Sequence, residues 1–216
     1  ASDVYKRQVN NRLYNRIINM DVKYVEMTGY HGTISKYADS IAKYGLDPDK
    51  THKRPDHWLG QGVYLFEDFD LARWWADTMA GKLYNAGNFP IVYQTQIRTS
   101  KEKILNLDNH KEYNRFIDRI LKMQNEIESN DEGKVPIFDR EKQRAVYFDY
   151  YKAKYQISVI IYTFSKECAT YGTFRKGSDL ARQIELQRAL GLAYHEKQIC
   201  VSKKECIKNI EVLYNG

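Results

Sequence analysis

The chain predicts an α+β fold. Strand-like apolar runs outnumber long helical stretches, and the two kinds of segment do not alternate regularly along the chain. Neither an internal repeat nor a low-complexity segment interrupts the order, so the 216 residues read as a single domain spanning 1–216.

Residues 9–20 suit a helix, with Val9, Leu13 and Ile17 on one face and Arg12 and Arg16 on the other. VKYVEMTGY at 22–30 is rich in β-formers and reads as a strand running into His31-Gly32-Thr33. A helix follows, with Ile34, Ala38, Ile41 and Ala42 on its apolar face, and Gly45 stands where a left-handed cap ends it. The polar stretch 47–57, with Pro48 and Pro55, is a loop. Gly60–Phe66 is a glycine-led strand. Asp68 or Asp70 caps the next helix, whose apolar stripe is Leu71, Trp75 and Met79. Further strands are expected at 90–99 and 105–108. Residues 109–155 form a helical insertion: Phe116, Ile120, Met123 and Ile127 recur at helical spacing, a turn lies at 130–133, and a second helix covers 139–154. ISVIIYTF at 157–164 is a strand buried on both faces. After a mixed polar stretch at 165–195, Gln198–Ser202 and Ile207–Tyr214 are the last two strands.

Composition narrows the classes. Hydrophobic residues make up 43% of the chain and aromatic residues 13%, which argues for a packed globular protein and against disorder. No run of eighteen apolar residues is present, so no membrane helix is expected, and no signal peptide is read at the N-terminus. Cys168, Cys200 and Cys206 form no paired motif, so neither structural zinc nor any other metal is expected, and a cytoplasmic location fits. The net charge of +6 favours phosphates or acidic surfaces as partners. Phosphate-loop, dinucleotide-fingerprint, zinc-protease and serine-hydrolase motifs are all absent.

Three segments carry the candidate chemistry. The first is Tyr30-His31-Gly32-Thr33, then a helix and Gly45-Leu46. The second is Leu59-Gly60-Gln61-Gly62-Val63-Tyr64-Leu65-Phe66-Glu67-Asp68, then Ala72 and Trp75. The third is Gln198-Ile199-Cys200-Val201, then Ile207. Singly, His31 reads as a hydrogen-bonded core histidine, Tyr64 and Trp75 as core aromatics, and Glu196 as a solvated strand residue. In this order and spacing the segments resemble the diphtheria-toxin/poly-ADP-ribose-polymerase class of ADP-ribosyltransferases. They also resemble bacterial proteins that share a WLGxGxYxxE segment and a late QICV strand. The resemblance covers residues 24–76 and 156–214. It implies a split mixed/antiparallel sheet core with flanking helices, and NAD⁺ as substrate.

The resemblance also implies roles. His31 would bond a hydroxyl of the adenosine ribose. Gly32, with Thr33, would meet the nicotinamide carboxamide through close backbone approach. Tyr64 and Trp75 would sandwich the nicotinamide ring. Ala72 stands where the polymerase group has a serine. Gln198 stands where most relatives have a glutamate that stabilises positive charge on the ribose as nicotinamide leaves. Glu196, two residues earlier and on the same strand face, is the nearest acid to replace that charge or to act as a base. His57, His195 and Asp56 are read as structural.

The implied activity is mono-ADP-ribosyl transfer to a macromolecular acceptor, RNA or DNA favoured over protein. The segment 165–195 interleaves Lys166, Tyr171, Phe174, Arg175, Lys176 and Arg182, which suits phosphate contact and base stacking. Relatives serve as toxins or phage-defence effectors, with antitoxin or regulatory partners. The other class weighed is a non-catalytic binder of NAD⁺, ADP-ribose or nucleic acid, favoured by the missing glutamate. A tRNA 2′-phosphotransferase ranks below both, because that group's arginine–histidine pattern is not seen.

Overall fold

The computed structural model describes residues 24–53, 57–130, 140–166, 186, 189–191 and 194–216. The helix expected over 9–20, Asp56, Cys168 and most of 165–195 lie outside the described residues.

The architecture is α+β: a mixed seven-stranded sheet with helices on its faces. The strands are β1 (Tyr24–Ile34), β2 (Val63–Phe66), β3 (Pro90–Ser100), β4 (Ile104–Asn106), β5 (Val159–Lys166), β6 (Tyr194–Val201) and β7 (Ile207–Asn215). The helices are α1 (Ala38–Tyr44), α2 (Phe69–Ala80), α3 (His110–Asn130) and α4 (Arg140–Tyr155). The sheet order is β4-β5-β6-β2-β1-β3-β7. Every pair is antiparallel except β4–β5.

Local chemistry sets the element ends. Asp68, one of two candidate caps, is the one used: its carboxylate accepts from the Asp70 and Leu71 N–H groups at 2.7 and 3.1 Å, a cap worth about 1 kcal/mol. Asn109 does the same for α3. Gly45 ends α1 with φ of 71°, the left-handed geometry that favours glycine.

Tertiary pairing moves other boundaries. β1 does not stop at Tyr30, because β3 pairs with it out to Ile34↔Pro90. His31, Gly32, Thr33 and Ile34 are therefore strand residues, and α1 begins only at Ala38. β2 is shorter than expected, since Gly60–Gly62 belong to the preceding loop. β6 is longer and starts at Tyr194, so His195 lies in a strand rather than a loop. The stripe Leu71–Trp75–Met79 is not the buried face of α2. Ala72 and Ala76 are fully buried, whereas Trp75 is 38% exposed. Small side chains let α2 lie close on β1 and β3, packed with Phe66 and Val92.

The segment 109–155 is more than an insertion. It is the crossover between β4 and β5, and a parallel pair needs such a long return. Phe116 and Phe148 stack at 5.1 Å to join α3 with α4. Together with Tyr151 they bury Leu59, Leu105, Ile160 and Cys200. The opposite face of the sheet holds Val63, Leu65, Ile97, Val159, Ile199 and Val201, with Ile41 of α1 packed against it. No helix among the described residues is long and apolar enough to cross a membrane.

β1 and β2 share one registered pair, Tyr30↔Phe66, whereas β1 pairs with β3 along eleven positions from Tyr24 to Ile34. The sheet thus divides into a β1-β3-β7 half and a β4-β5-β6-β2 half, joined at one point.

Candidate functional site

A cavity of about 290 Å³ lies at this junction. His31 and Gly32 come to it from β1, Tyr64, Leu65 and Phe66 from β2, Glu196 and Gln198 from β6, and Trp75 from α2. His57 and Trp58 come from the loop before β2. Its volume is near the low end for ligand pockets, about 300–1,000 Å³.

His31 bridges the two halves of the sheet. Past Tyr30 the pairing of β1 with β2 ends, and the His31 ring takes over, with Nδ1 2.9 Å from the Tyr64 carbonyl oxygen. A carbonyl only accepts, so Nδ1 carries the proton and Nε2 of the neutral ring keeps a lone pair. Burial pushes the ring below the ordinary histidine value, against the opposing pull of the Tyr64 carbonyl. Near neutral pH His31 is therefore uncharged, and Nε2 is an acceptor for a ligand hydroxyl.

Gly32 is required first by packing. A Cβ there would stand 2.0 Å from the Ala72 carbonyl oxygen and 3.3 Å from the Ala76 nitrogen. Glycine is what lets α2 press against β1. Ala72 accordingly serves the core, fully buried beneath Gly32. Thr33 is buried and does not line the cavity.

Tyr64 is held rigidly. Its hydroxyl accepts from the Leu59 N–H at 2.7 Å and donates to the Gly60 carbonyl at 2.7 Å. Burial raises the hydroxyl far above the ordinary phenol range, and the neighbouring Cys200 adds to the shift. The hydroxyl is thus spent on structure, and the ring is what Tyr64 offers the cavity. The His57 ring packs 5.3 Å from it. Trp75, on α2, supplies a second aromatic surface.

The loop that grips Tyr64 is itself gripped by α4. Asp149 accepts from the Gln61 N–H at 2.6 Å, and the Lys152 ammonium donates to the Gln61 carbonyl at 2.7 Å and to Asp149 at 3.2 Å. Gly60, at φ +75°, would place a Cβ 2.3 Å from the Asp149 carboxylate. Lys152 also reaches the Cys200 sulfur at 3.6 Å. Burial pushes the Cys200 thiol up, while Lys152 pulls it down.

Glu196 and Gln198 share one face of β6, and the Gln198 amide donates to the Glu196 carboxylate. That contact turns Nε2 of Gln198 toward the acid and leaves Oε1 to point elsewhere. Glu196 is only 2% exposed, so it is an interior carboxylate and not a solvated strand residue. A carboxylate removed from water needs such donors.

The residues expected from sequence to meet do so, apart from Thr33. His195 is exposed on β6. His57, read as structural, lines the cavity, and so do Trp58, Leu65 and Phe66, which were not singled out. Trp58 was within reach of a sequence reading, because it opens the WLGQGVY segment that carries Tyr64. No protein-family model matches this chain, and no curated protein or solved structure matches it.

Proposed function

We propose that the chain is an ADP-ribosyltransferase with a split-sheet fold of that class. It moves ADP-ribose from NAD⁺ to a macromolecular acceptor, nucleic acid in preference to protein. One observation carries the reading: His31, Gly32, Tyr64, Trp75, Glu196 and Gln198, from segments far apart in sequence, line one cavity at the β1–β2 junction.

The residues fit the substrate. His31 accepts a ribose hydroxyl through Nε2. The fixed Tyr64 ring and Trp75 flank the cationic nicotinamide, an attraction worth about 0.5–2 kcal/mol. In the reaction the bond between ribose C1′ and the pyridinium nitrogen breaks. Its electron pair stays on nitrogen, so neutral nicotinamide leaves. The acceptor nucleophile then bonds to C1′ and gives up a proton. Gln198 Oε1 accepts from the nicotinamide ribose. Glu196 supplies the negative charge that a developing oxocarbenium requires, and it takes the acceptor's proton. A buried acid two residues from the amide answers the main objection to a glutamine here.

The test is incubation with labelled NAD⁺ and separate pools of RNA, DNA and cell protein. Label is expected on a nucleic-acid pool. His31→Ala and Tyr64→Ala abolish it, Gln198→Ala reduces it strongly, and Gln198→Glu increases NAD⁺ hydrolysis. Full labelling by all three alanine variants sinks the site. NAD⁺ binding without nicotinamide release or labelling would instead favour a non-catalytic binder.

A further inference from the structure

The cavity wall continues sideways along the sheet. Glu196 and Gln198 on β6 stand opposite Phe164 and Tyr162 on β5, so all four side chains share one face. Trp58, a cavity residue, meets Phe164 edge-on with ring centroids 4.5 Å apart. Beyond Trp58 is Arg144 of α4, whose guanidinium carbon lies 5.1 Å from the Trp58 ring centroid.

Arg144 differs from the other cation that α4 directs at this loop. Lys152 has Asp149 and the Gln61 carbonyl. Arg144 has no carboxylate partner among the described residues, and its Nε is shielded from solvent with no hydrogen-bond acceptor among them. A desolvated guanidinium donor without an acceptor is costly. A guanidinium fork matches the oxygens of a phosphate, and stacking on an indole limits its freedom in advance.

We propose that Arg144, held by Trp58, is a phosphate-binding group beside the cavity. The inference takes from the proposed function that the cavity binds a ligand, and it does not depend on transfer. Two sources present this chemistry: the diphosphate of a dinucleotide lying in the cavity, and the backbone of a single strand of nucleic acid lying across Phe164 and Tyr162.

The experiment measures binding by the full chain and by Arg144→Gln to NAD⁺, ADP, adenosine and a fluorescein-labelled single-stranded oligonucleotide, over a range of salt. Loss of a charge-assisted contact predicts affinity lower by about tenfold or more for a phosphate-bearing probe. Adenosine binding stays unchanged. The salt slope for the oligonucleotide falls by about one if the strand supplies the phosphate. Loss confined to NAD⁺ and ADP assigns the diphosphate, and loss confined to the oligonucleotide assigns the strand. Arg144→Lys keeps the charge without the fork and is expected to fall between the two; it also serves if the glutamine variant does not fold. Equal losses for adenosine and ADP, unchanged affinity for every phosphate probe, or lysine binding more weakly than glutamine each overturn the proposal. None of these measurements needs nicotinamide release, so absence of transfer would count against the proposed function and leave this result readable.

Discussion

His31 shows how one side chain can serve the fold and the site together. Its Nδ1–H replaces a strand-to-strand hydrogen bond that β1 and β2 do not make, and the same bond fixes the tautomer that leaves Nε2 as an acceptor. The burial that keeps the ring neutral has a cost that depends on pH. The folded-state value lies below the ordinary 6.5, so as pH falls the unfolded chain takes up its proton first. The His31 contribution to stability is therefore level above about pH 6.5. It declines as pH drops from there through the folded-state value, then levels again. Urea midpoints measured between pH 7.5 and pH 5 should fall more for the wild type than for His31→Gln. An equal decline in both would mean that His31 does not titrate in this way. NAD⁺ affinity should weaken only as pH falls through the folded-state value, because a proton on Nε2 removes the acceptor.

At the scale of elements, α4 controls the cavity without lining it. Lys152 and Asp149 hold the Gln61 peptide, the adjoining Leu59–Gly60 backbone holds the Tyr64 hydroxyl, and the Tyr64 carbonyl holds His31. Lys152→Met keeps most of the apolar stem but leaves the part-buried Gln61 carbonyl without its donor. It should cost about 1–3 kcal/mol, read as a lower urea midpoint with an unchanged slope. A wild-type midpoint would show that the clamp is energetically idle. Little of this clamp was legible in the sequence, because nothing local in a helical segment marks a charged residue such as Lys152 for burial. α2 misleads for a related reason. Hydrophobicity points to Leu71, Trp75 and Met79, yet close approach to Gly32 selects the small Ala72 and Ala76 for burial. β6 was read as starting four residues too late because Tyr194-His195-Glu196-Lys197 carries charge where a buried strand should be apolar. The exception is Glu196, a buried carboxylate in the cavity. By contrast, the aliphatic runs of β2, β3, β5 and β7, and the Asp68 and Gly45 helix ends, were readable because each is a local signal.

For the whole molecule, the sheet order explains why the site falls where it does. Two halves that meet at one pair leave side chains facing each other across a gap, which Trp75 of α2 and the His57–Trp58 loop help to wall. Sequence pattern predicts the α+β class and most strands, but it does not show which neighbours are parallel. For that reason 109–155 reads as an insertion, although it closes the β4–β5 pair. Replacing it with a short flexible linker should leave Leu59, Leu105, Ile160 and Cys200 uncovered and the parallel return unspanned. No cooperative thermal transition is expected by circular dichroism, and a soluble variant that melts cooperatively would make the segment dispensable. The place of β6 between β5 and β2 also fixes an order of events during synthesis. β1 and β3 can pair as soon as both have left the ribosome. β2 and β5 are joined only through β6, which lies more than a hundred residues after β2 in the chain. A nascent chain that has not yet released residues 194–201 has neither Glu196 nor Gln198 in place. The cavity is therefore completed only once β6 has emerged, after every other strand of the sheet but β7.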